Sequence, residues 1–149
     1  MKKEYTVEEQ IKMVSRDGWL IKYIKSPNEK IQELAVKEYG PAINPSEKIK
    51  EQAVKQDGYV IKFINNPSEN IQELAVSQDA YAIKFIKNPS EKVQKLAVRQ
   101  YGCAIKFIKN PSEKVQKLAV RQTGYAIQYI DKPSEKIRKL FLKLYPEMI

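Results

Sequence analysis

Histidine is absent from this 149-residue chain, and cysteine occurs once, at Cys103. Without imidazole, no histidine can serve as a general base or a metal ligand, and one cysteine allows no disulfide within the chain. A lone free cysteine suits a reducing compartment. We therefore expect a cytoplasmic protein with no metal site, no cofactor and no enzymatic activity.

Long apolar segments are also missing. No run approaches the ~18 apolar residues that would cross a membrane. The N-terminal stretch MKKEYTVEEQIKMV starts with charge but lacks the apolar core of a secretion signal. Glycine is scarce, with five residues, and no GxGxxG or GxxxxGK[ST] phosphate loop occurs. We expect neither export nor a membrane partner.

Proline, in contrast, recurs on a regular grid. Six prolines are separated by 18 residues once and then by 22 residues four times. They are Pro27, Pro45, Pro67, Pro89, Pro111 and Pro133. Two successive units read NPSEKVQKLAVRQYGCAIKFIK and NPSEKVQKLAVRQTGYAIQYID, and we number each unit from its proline as position 1. Such a period is the signature of stacked supersecondary units.

The first half of each unit predicts an α-helix of about three turns. Asn88 should cap it, with Pro89 at the first helical position and Glu91 at the third. Apolar residues at positions 5, 8 and 9 form one helix face. Lys132 replaces the asparagine in the last unit, so that helix should begin less firmly. Glycine at position 14 should end each helix in a left-handed turn.

The second half, YAIKFIKN in one unit, predicts a helix of about two turns, too short to be stable alone in water. Packing against neighbouring units must therefore stabilise it. Aromatic residues recur at positions 15 and 19, and this i, i+4 spacing favours a place in the core between repeats. The alternative is an exposed platform on which single-stranded bases stack.

These units resemble short helical tandem repeats of the HEAT-like kind and of the leucine-rich-repeat variant, which alternates a longer helix with a short one. They are similar to the NPSEE-VQLAAV repeats of bacterial and phage proteins. The resemblance covers about residues 17–145. It implies an all-α fold, a right-handed α-solenoid of ~22-residue helix pairs that bury their apolar faces against each other. It implies no activity, because such folds bind many unrelated partners.

We expect one domain over residues 1–149, with an N-terminal cap at 1–18, first units at 19–44, regular repeats at 45–132 and a C-terminal cap at 133–149. Thr6 and Glu9 have the spacing of a capping box. In the shortened unit, EYGPAINP replaces the second helix, and two prolines in five residues forbid a regular helix. The solenoid should bend or open at residues 39–46.

Candidate nucleophiles have structural explanations. Ser90 and Glu91 recur as the same pair at residues 112–113 and 134–135, as scaffold residues do, so we interpret them as capping residues. Cys103 stands where other units carry an aromatic residue such as Tyr81, which indicates a packed thiol rather than a reactive one.

The net charge of +9 is concentrated in the second half of the chain. Residues 1–80 carry a net charge of −1, and residues 81–149 carry +10. Positions 4, 7 and 11 share the outer face of the predicted long helix. Early units mix lysine and glutamate there, whereas late units have only cations. This basic face consists of Lys92, Lys95, Arg99, Lys114, Lys117, Arg121, Lys136, Lys139 and Lys143.

Three interpretations of the basic face stay open: a solvated surface, a dock for an acidic protein, and a surface that follows a nucleic-acid backbone. We favour a non-catalytic module that binds an acidic protein, as a phage or mobile-element protein acting on a host factor would. Nucleic-acid binding through the basic half is the alternative. A secondary candidate face on the short helices consists of Lys84, Lys87, Lys106 and Lys109.

The last unit becomes more apolar, although no further repeat covers it. Its candidate end interface consists of Phe141, Leu142, Leu144 and Tyr145. Either the tail at residues 146–149 folds back over Phe141 and Leu144, or a second copy covers them in an end-to-end homodimer, or a foreign partner does.

Overall fold

The computed structural model describes residues 4–39 and 46–148, and within these ranges all regular structure is helical. The α-helices are α1 (Val7–Arg16), α2 (Glu29–Tyr39), α3 (Glu47–Gln56), α4 (Glu69–Gln78), α5 (Glu91–Gln100), α6 (Glu113–Gln122) and α7 (Glu135–Leu144). The 3₁₀-helices are η1 (Gly18–Tyr23), η2 (Gly58–Phe63), η3 (Ala80–Phe85), η4 (Gly102–Phe107), η5 (Gly124–Tyr129) and η6 (Pro146–Met148).

Successive units pack in tandem. Each α-helix contacts the next α-helix, and from η2 to η5 each 3₁₀-helix contacts the next 3₁₀-helix. Every unit therefore buries its apolar surface against its neighbours, as a solenoid requires. The predicted all-α solenoid is confirmed, while its right-handed sense stays a prediction. None of the described helices is long and apolar enough to span a bilayer.

The short helix of each unit is a 3₁₀-helix of six residues rather than an α-helix. With three residues per turn, every third side chain falls on the same ridge. In η3 and the residue after it, Ala80, Ile83 and Ile86 form one buried ridge, and Ala82 is buried beside it. Positions 14, 16, 17 and 20 therefore face the core, and the aromatic positions 15 and 19 are less buried.

Isoleucine, valine and alanine form two core clusters, one with residues from Val14 to Ala35 and one with residues from Val54 to Ile137. In α5 the fully buried residues are Val93, Ala97 and Val98, at positions 5, 9 and 10. The position-8 leucine, Leu96, is half-buried at the edge of the second cluster. No charged or polar side chain is buried among the described residues. Core positions were thus predicted well, except that position 10 is more central and position 8 less central than expected.

The long helices begin later than predicted. Ser90, not Asn88, is the N-cap of α5, and its hydroxyl accepts a hydrogen bond from the backbone N–H of Val93 at 3.3 Å. The asparagine before the proline is a turn residue instead. Asn66 and Asn110 have φ angles of 47° and 53°, in the left-handed region that asparagine tolerates better than most residues. The interpretation of Ser90 as a capping residue is confirmed.

Lys132 does not weaken the cap of the last α-helix, so that prediction is wrong. It adopts the same left-handed conformation, with φ of 48°, and Ser134 still accepts from the N–H of Ile137. The cap is the position-2 serine, which this unit retains. At the other end, Thr6 and Glu9 form the predicted capping box, in which each side chain accepts from the other residue's backbone N–H.

Glycine at position 14 has a different role from the predicted left-handed stop. None of the glycines that carry it has a φ in the left-handed region. A Cβ on Gly58 would lie 2.6 Å from the carbonyl oxygen of Ala75, and one on Gly102 would lie 2.6 Å from that of Ala119. Glycine is needed at these two positions because the starts of η2 and η4 closely approach the backbone of α4 and α6.

Recurrent polar contacts tie each turn to its helix and each unit to the next. The position-6 glutamine donates to the carbonyl of its own unit's proline, at 2.9 Å for Gln94 and Pro89. The position-2 serine donates to the position-3 glutamate of the preceding unit, as Ser90 does to Glu69. These contacts repeat with the sequence, so they hold successive units in one register.

The predicted bend at residues 39–46 falls mostly on residues 40–45, which lie outside the described ranges. The helix α2 extends to Tyr39 and contacts α3 directly. The bend itself stays a prediction.

Candidate binding surfaces

The basic face lies on three adjacent helices, α5, α6 and α7, which pack in sequence. All nine of its side chains are at least partly exposed. Within each helix they occupy positions 4, 7 and 11, so they form three rows that cross the helices. The rows differ in their partners, and this difference decides which of them is available to a ligand.

Glutamates neutralise the position-7 row. In each helix the position-3 carboxylate pairs with the position-7 lysine at i, i+4 spacing, which suits a helix surface. The Nζ–Oε1 distances are 2.6 Å for Lys95–Glu91, 3.2 Å for Lys117–Glu113 and 2.9 Å for Lys139–Glu135. These three lysines of the predicted basic face therefore already have a carboxylate partner.

These pairs also shift the acidity of the carboxyl groups. The hydrogen bond from Lys95 holds the pKa of Glu91 below its ordinary value, and the charges of Lys95 and Lys114 act in the same direction. The hydrogen bond from Lys117 lowers the pKa of Glu113 in the same way. Both glutamates are therefore ionised near neutral pH and offset part of the positive field.

The position-4 row is engaged to different degrees. Lys92 pairs with Glu73 of α4 at 2.6 Å, and this hydrogen bond raises the pKa of the lysine. Lys114 forms no ion pair among the described residues, but its charge acts on Glu91 of the preceding helix. Lys136 acts on Glu113 likewise. This row is thus partly compensated across the repeat boundary.

The position-11 row, which consists of Arg99, Arg121 and Lys143, has no ion-pair partner within residues 4–39 and 46–148. Each residue lies in the last turn of its helix, where a cation complements the negative end of the helix dipole. This row is therefore the least compensated part of the basic face.

The aromatic residues of the short helices form a second surface, and their predicted place in the core holds only in part. Phe85 packs against the core, whereas Phe63 and Phe107 are 40 % and 36 % exposed. Aromatic rings of neighbouring units meet edge to face, with 5.6 Å between the centroids of Tyr59 and Phe85 and the same distance between Tyr81 and Phe107.

Lysines at position 18 lie over these rings. The Nζ of Lys84 is 4.8 Å from the ring centroid of Tyr59 and 4.7 Å from that of Phe85. Lys106 is placed likewise, 4.8 Å from Phe107 and 5.2 Å from Tyr81. Such distances are within the range of cation–π attraction. We call this surface the aromatic ladder; its rings are Tyr59, Phe63, Tyr81, Phe85, Tyr101, Phe107 and Tyr129, and its cations are Lys62, Lys84 and Lys106.

Two residues of the predicted secondary face, Lys84 and Lys106, thus belong to the aromatic ladder. The other two, Lys87 and Lys109, are exposed in the turns that follow the 3₁₀-helices. Within the ladder, the hydrogen bond with Tyr101 raises the pKa of Tyr81 to about 12. Its phenol therefore stays neutral at physiological pH and adds no negative charge to the surface.

Cys103 interrupts the ring pattern. It occupies position 15 of η4 and is only 9 % exposed, as a packed thiol should be. Tyr129 in the next unit consequently has no position-15 ring to meet, and its nearest ladder cation is Lys106, 5.8 Å from the ring centroid. The prediction of a packed thiol agrees with this burial.

The C-terminal tail folds back on the last unit. A Cβ on Gly124 would lie 2.6 Å from the Sδ of Met148 and 2.9 Å from the Cγ of Tyr145, so both side chains cover that glycine. The hydroxyl of Tyr145 also donates to the backbone carbonyl of Arg121 at 3.3 Å. The tail thus folds back, but over Gly124 rather than over Phe141 and Leu144 as the first alternative expected.

The fold-back leaves part of the predicted end interface open. Phe141 packs against the core and lies 5.9 Å from Tyr145, measured between ring centroids. Leu142 and Leu144 remain exposed, so the tail does not cover Leu144 as expected. An end-to-end homodimer through these two leucines stays a prediction.

A groove of about 910 Å³ opens between α2 and α3. Its walls include the apolar side chains of Leu34 and Ile49 and the opposite charges of Glu33 and Lys37. Within the described ranges, no group of three or more acidic or cysteine residues is placed to hold a metal ion. The mixed lining of the groove favours no particular ligand.

No protein-family model, curated protein or solved structure matches the chain significantly. The function must therefore be argued from the surfaces themselves.

Sequence reasoning missed one feature of these surfaces and ranked another second. The pairing of Lys95 with Glu91 was visible as i, i+4 spacing, but Glu91 had been assigned to helix capping. The exposed aromatic surface was only the alternative, because Tyr81 and Phe85 were interpreted with an α-helical period. A period of three, which places Tyr81 and Lys84 on one ridge, would have indicated an exposed aromatic–cation surface.

Proposed function

We propose that this chain is a non-catalytic binding module that docks a protein with an acidic surface on its basic face. The observation that carries the proposal is the position-11 row, three uncompensated cations on three adjacent helices. Helices packed at ~10 Å set the spacing of the row, so it offers a partner a fixed pattern of charge. The alternation of α- and 3₁₀-helices supports membership in the HEAT-like or leucine-rich-repeat-variant group of repeats.

The scaffold suits such a role. Its repeats bury only apolar residues and hold each other through recurrent polar contacts, so the exposed row is presented by a rigid array rather than by a loop. Fixed charges on a rigid surface speed association with an oppositely charged partner and select against other partners. We place this binding in the cytoplasm, where a phage or mobile-element protein would meet a host factor.

The same face favours a protein over a nucleic-acid backbone. The carboxylates of Glu91, Glu113 and Glu135 lie among its cations, and they would repel a continuous row of phosphates. A folded acidic protein can place its own charges to avoid them. Contact with a nucleic-acid backbone is the alternative for this face, and the experiment below separates the two.

Affinity capture with matched charge-reversal variants tests the proposal. Arg99→Glu with Arg121→Glu removes two cations of the position-11 row, and Lys37→Glu with Lys55→Glu makes the same change at position 11 of α2 and α3. From nuclease-treated lysate, we expect the wild type and the early-unit variant to retain a common protein that the late-unit variant loses.

Two outcomes would contradict the proposal. Equal retention of that protein by the wild type and the late-unit variant would show that the row is not the docking surface. If nuclease treatment removed all bound protein from the wild type, the basic face would be assigned to nucleic-acid binding instead.

A further inference from the structure

We infer that the aromatic ladder binds single-stranded nucleic acid, with bases against its rings and phosphates on its lysines. This inference goes beyond the proposed function, because it concerns the 3₁₀-helices rather than the basic face of the α-helices. It rests on three observations: the charge state of the lysines, the exposure of the rings and the regular order of the units.

The ladder lysines keep their full charge. On the basic face, a carboxylate compensates each position-7 lysine, as Glu91 compensates Lys95. On the ladder, Lys84 and Lys106 lie over aromatic rings instead and form no ion pair within the described ranges. A ring attracts a cation without cancelling its charge, so these ammonium groups remain available to an anion.

Acidic groups near the ladder have partners within the protein. Asp79 accepts a hydrogen bond from the backbone N–H of Tyr81 at 2.7 Å, as the cap of η3. Its charge also helps to raise the pKa of the Tyr59 phenol, although burial is the larger cause. The carboxylate therefore serves the local fold, and the face of the ladder is cationic.

The exposed rings indicate a ligand with flat aromatic groups, because a simple anion would need only the lysines. Phe63, Tyr101, Phe107 and Tyr129 are all at least one-third exposed, although neighbouring rings and lysines touch them. An acidic peptide would use the lysines but has no general use for a row of rings. Nucleobases have flat π faces that stack on aromatic side chains in a sequence-tolerant manner, while their phosphates pair with the cations.

The order of the units fits a linear polymer. The helices η2, η3 and η4 follow each other in contact, and each contributes one position-18 lysine and one position-19 phenylalanine. A single strand can present its bases along such a row. A duplex cannot, because its bases are stacked on each other and paired inside. The ligand is therefore single-stranded.

Fluorescence anisotropy with labelled oligonucleotides tests the inference. The probes are single strands of oligo(dT) and oligo(U) of about 20 nucleotides, with a blunt DNA duplex of the same length as comparison. We expect both single strands to bind more tightly than the duplex. If three lysines contact phosphates, affinity should fall roughly 20-fold between 50 and 200 mM salt. Tighter binding of oligo(U) than of oligo(dT) would indicate that the protein also contacts the ribose 2′-hydroxyl groups.

Variants locate the site. Phe63→Leu with Phe107→Leu keeps apolar bulk but removes two stacking faces, and it should weaken binding by about tenfold or more. Lys84→Gln with Lys106→Gln should weaken binding and flatten its salt dependence. Circular dichroism should show the same helix content for each variant, because all four side chains are partly exposed.

A lysine pair on the other surface provides the matched control. Lys114→Gln with Lys136→Gln removes the same charge from the basic face and should leave oligonucleotide affinity within about twofold. The inference is overturned if the duplex binds as tightly as the single strands, if no probe binds, or if the control variant loses as much affinity as the ladder variants. The protein-docking proposal is judged separately, through Arg99 and Arg121.

Discussion

Lys92 of α5 reaches back to Glu73 of α4, and its Nζ lies 2.6 Å from the carboxylate oxygen. This contact joins position 4 of one unit to position 7 of the unit before it. In the next unit the residue at position 7 is Lys95, so Lys114 has no acidic position-7 residue to pair with, and its charge acts on Glu91 instead. The boundary between the balanced and the basic half of the solenoid therefore lies between α4 and α5.

The paired glutamates predict a pH dependence of stability. Because folding lowers the pKa of Glu91 and Glu113 below their ordinary value of 4.5, their ionised forms stabilise the folded state above that pH. This contribution is lost as the pH falls through the folded pKa. When the pH is lowered from about 6 to about 3, we expect the double variant Lys95→Met, Lys117→Met to lose less thermal stability than the wild type.

Calorimetry over this pH range checks the prediction. The double variant Lys114→Met, Lys136→Met is the control, because these lysines affect the same carboxylates only by charge at a distance. A wild type and a Lys95/Lys117 variant with identical pH profiles would mean that the ion pairs do not persist in solution.

The close approach at position 14 predicts a cost for adding one methyl group. Gly102→Ala would place its Cβ 2.6 Å from the carbonyl oxygen of Ala119 and 2.9 Å from Oε1 of Gln122. The carbonyl belongs to a packed helix backbone, so the units must move apart, at a cost of about 1–3 kcal/mol in unfolding free energy. Chemical denaturation measures this difference.

Position 14 of η3 offers a reference, because Ala80 already occupies it and is nearly buried. There, Ala80→Gly should lower the unfolding free energy by about 1 kcal/mol or less, because glycine raises the entropy of the unfolded chain and removes a packed methyl group. If Gly102→Ala proved neutral, the approach between η4 and α6 would be looser than the structure indicates.

The left-handed conformation of the residue before Pro133 predicts a stabilising substitution. Lys132 has a φ of 48°, whereas Asn110 occupies the same position one unit earlier with a φ of 53°. Asparagine reaches this conformation more easily than lysine, so Lys132→Asn should raise the unfolding free energy by about 0.5–1 kcal/mol. Thermal denaturation measures it, with Lys109→Asn as an exposed control of the same exchange. An unchanged or lower midpoint would contradict the turn geometry.

The fold class could be predicted from the sequence because burial follows a simple period. Isoleucine or valine at position 5 and alanine at position 9 lie on one face of any α-helix, and the fixed interval of 22 residues implies stacking. The same logic failed for the short helix. Six residues such as Ala80–Phe85 fit an α- or a 3₁₀-helix equally well in composition, and the choice depends on contacts with neighbouring units.

The candidate sites were harder to predict, for two physical reasons. A charge pattern gives the sign of a face but not which cations have partners: Lys95 is paired and Arg99 is not, although both lie on the same face. The exposure of an aromatic residue depends on its contacts with neighbouring units, so Phe107 is exposed although Ala104, three residues before it in the same 3₁₀-helix, is buried. Both properties are set by side-chain geometry rather than by residue type.

The tail predicts that the protein is a monomer whose last unit depends on two side chains. Tyr145 and Met148 cover Gly124. Tyr145→Ala with Met148→Ala should uncover this end and lower the unfolding free energy by about 1–3 kcal/mol, since both residues are only partly removed from water. Leu144→Lys, at an exposed position, should change stability little.

Light scattering of the native protein decides whether Leu142 and Leu144 form an interface. We expect a mass near 17.3 kDa at high concentration, because the tail already covers the most buried part of this end. Two exposed leucines are a small surface compared with the area that a stable dimer buries. A mass twice as large, reduced to 17.3 kDa by Leu142→Lys with Leu144→Lys, would instead show that a second copy covers the leucines and that the tail alone does not close the solenoid.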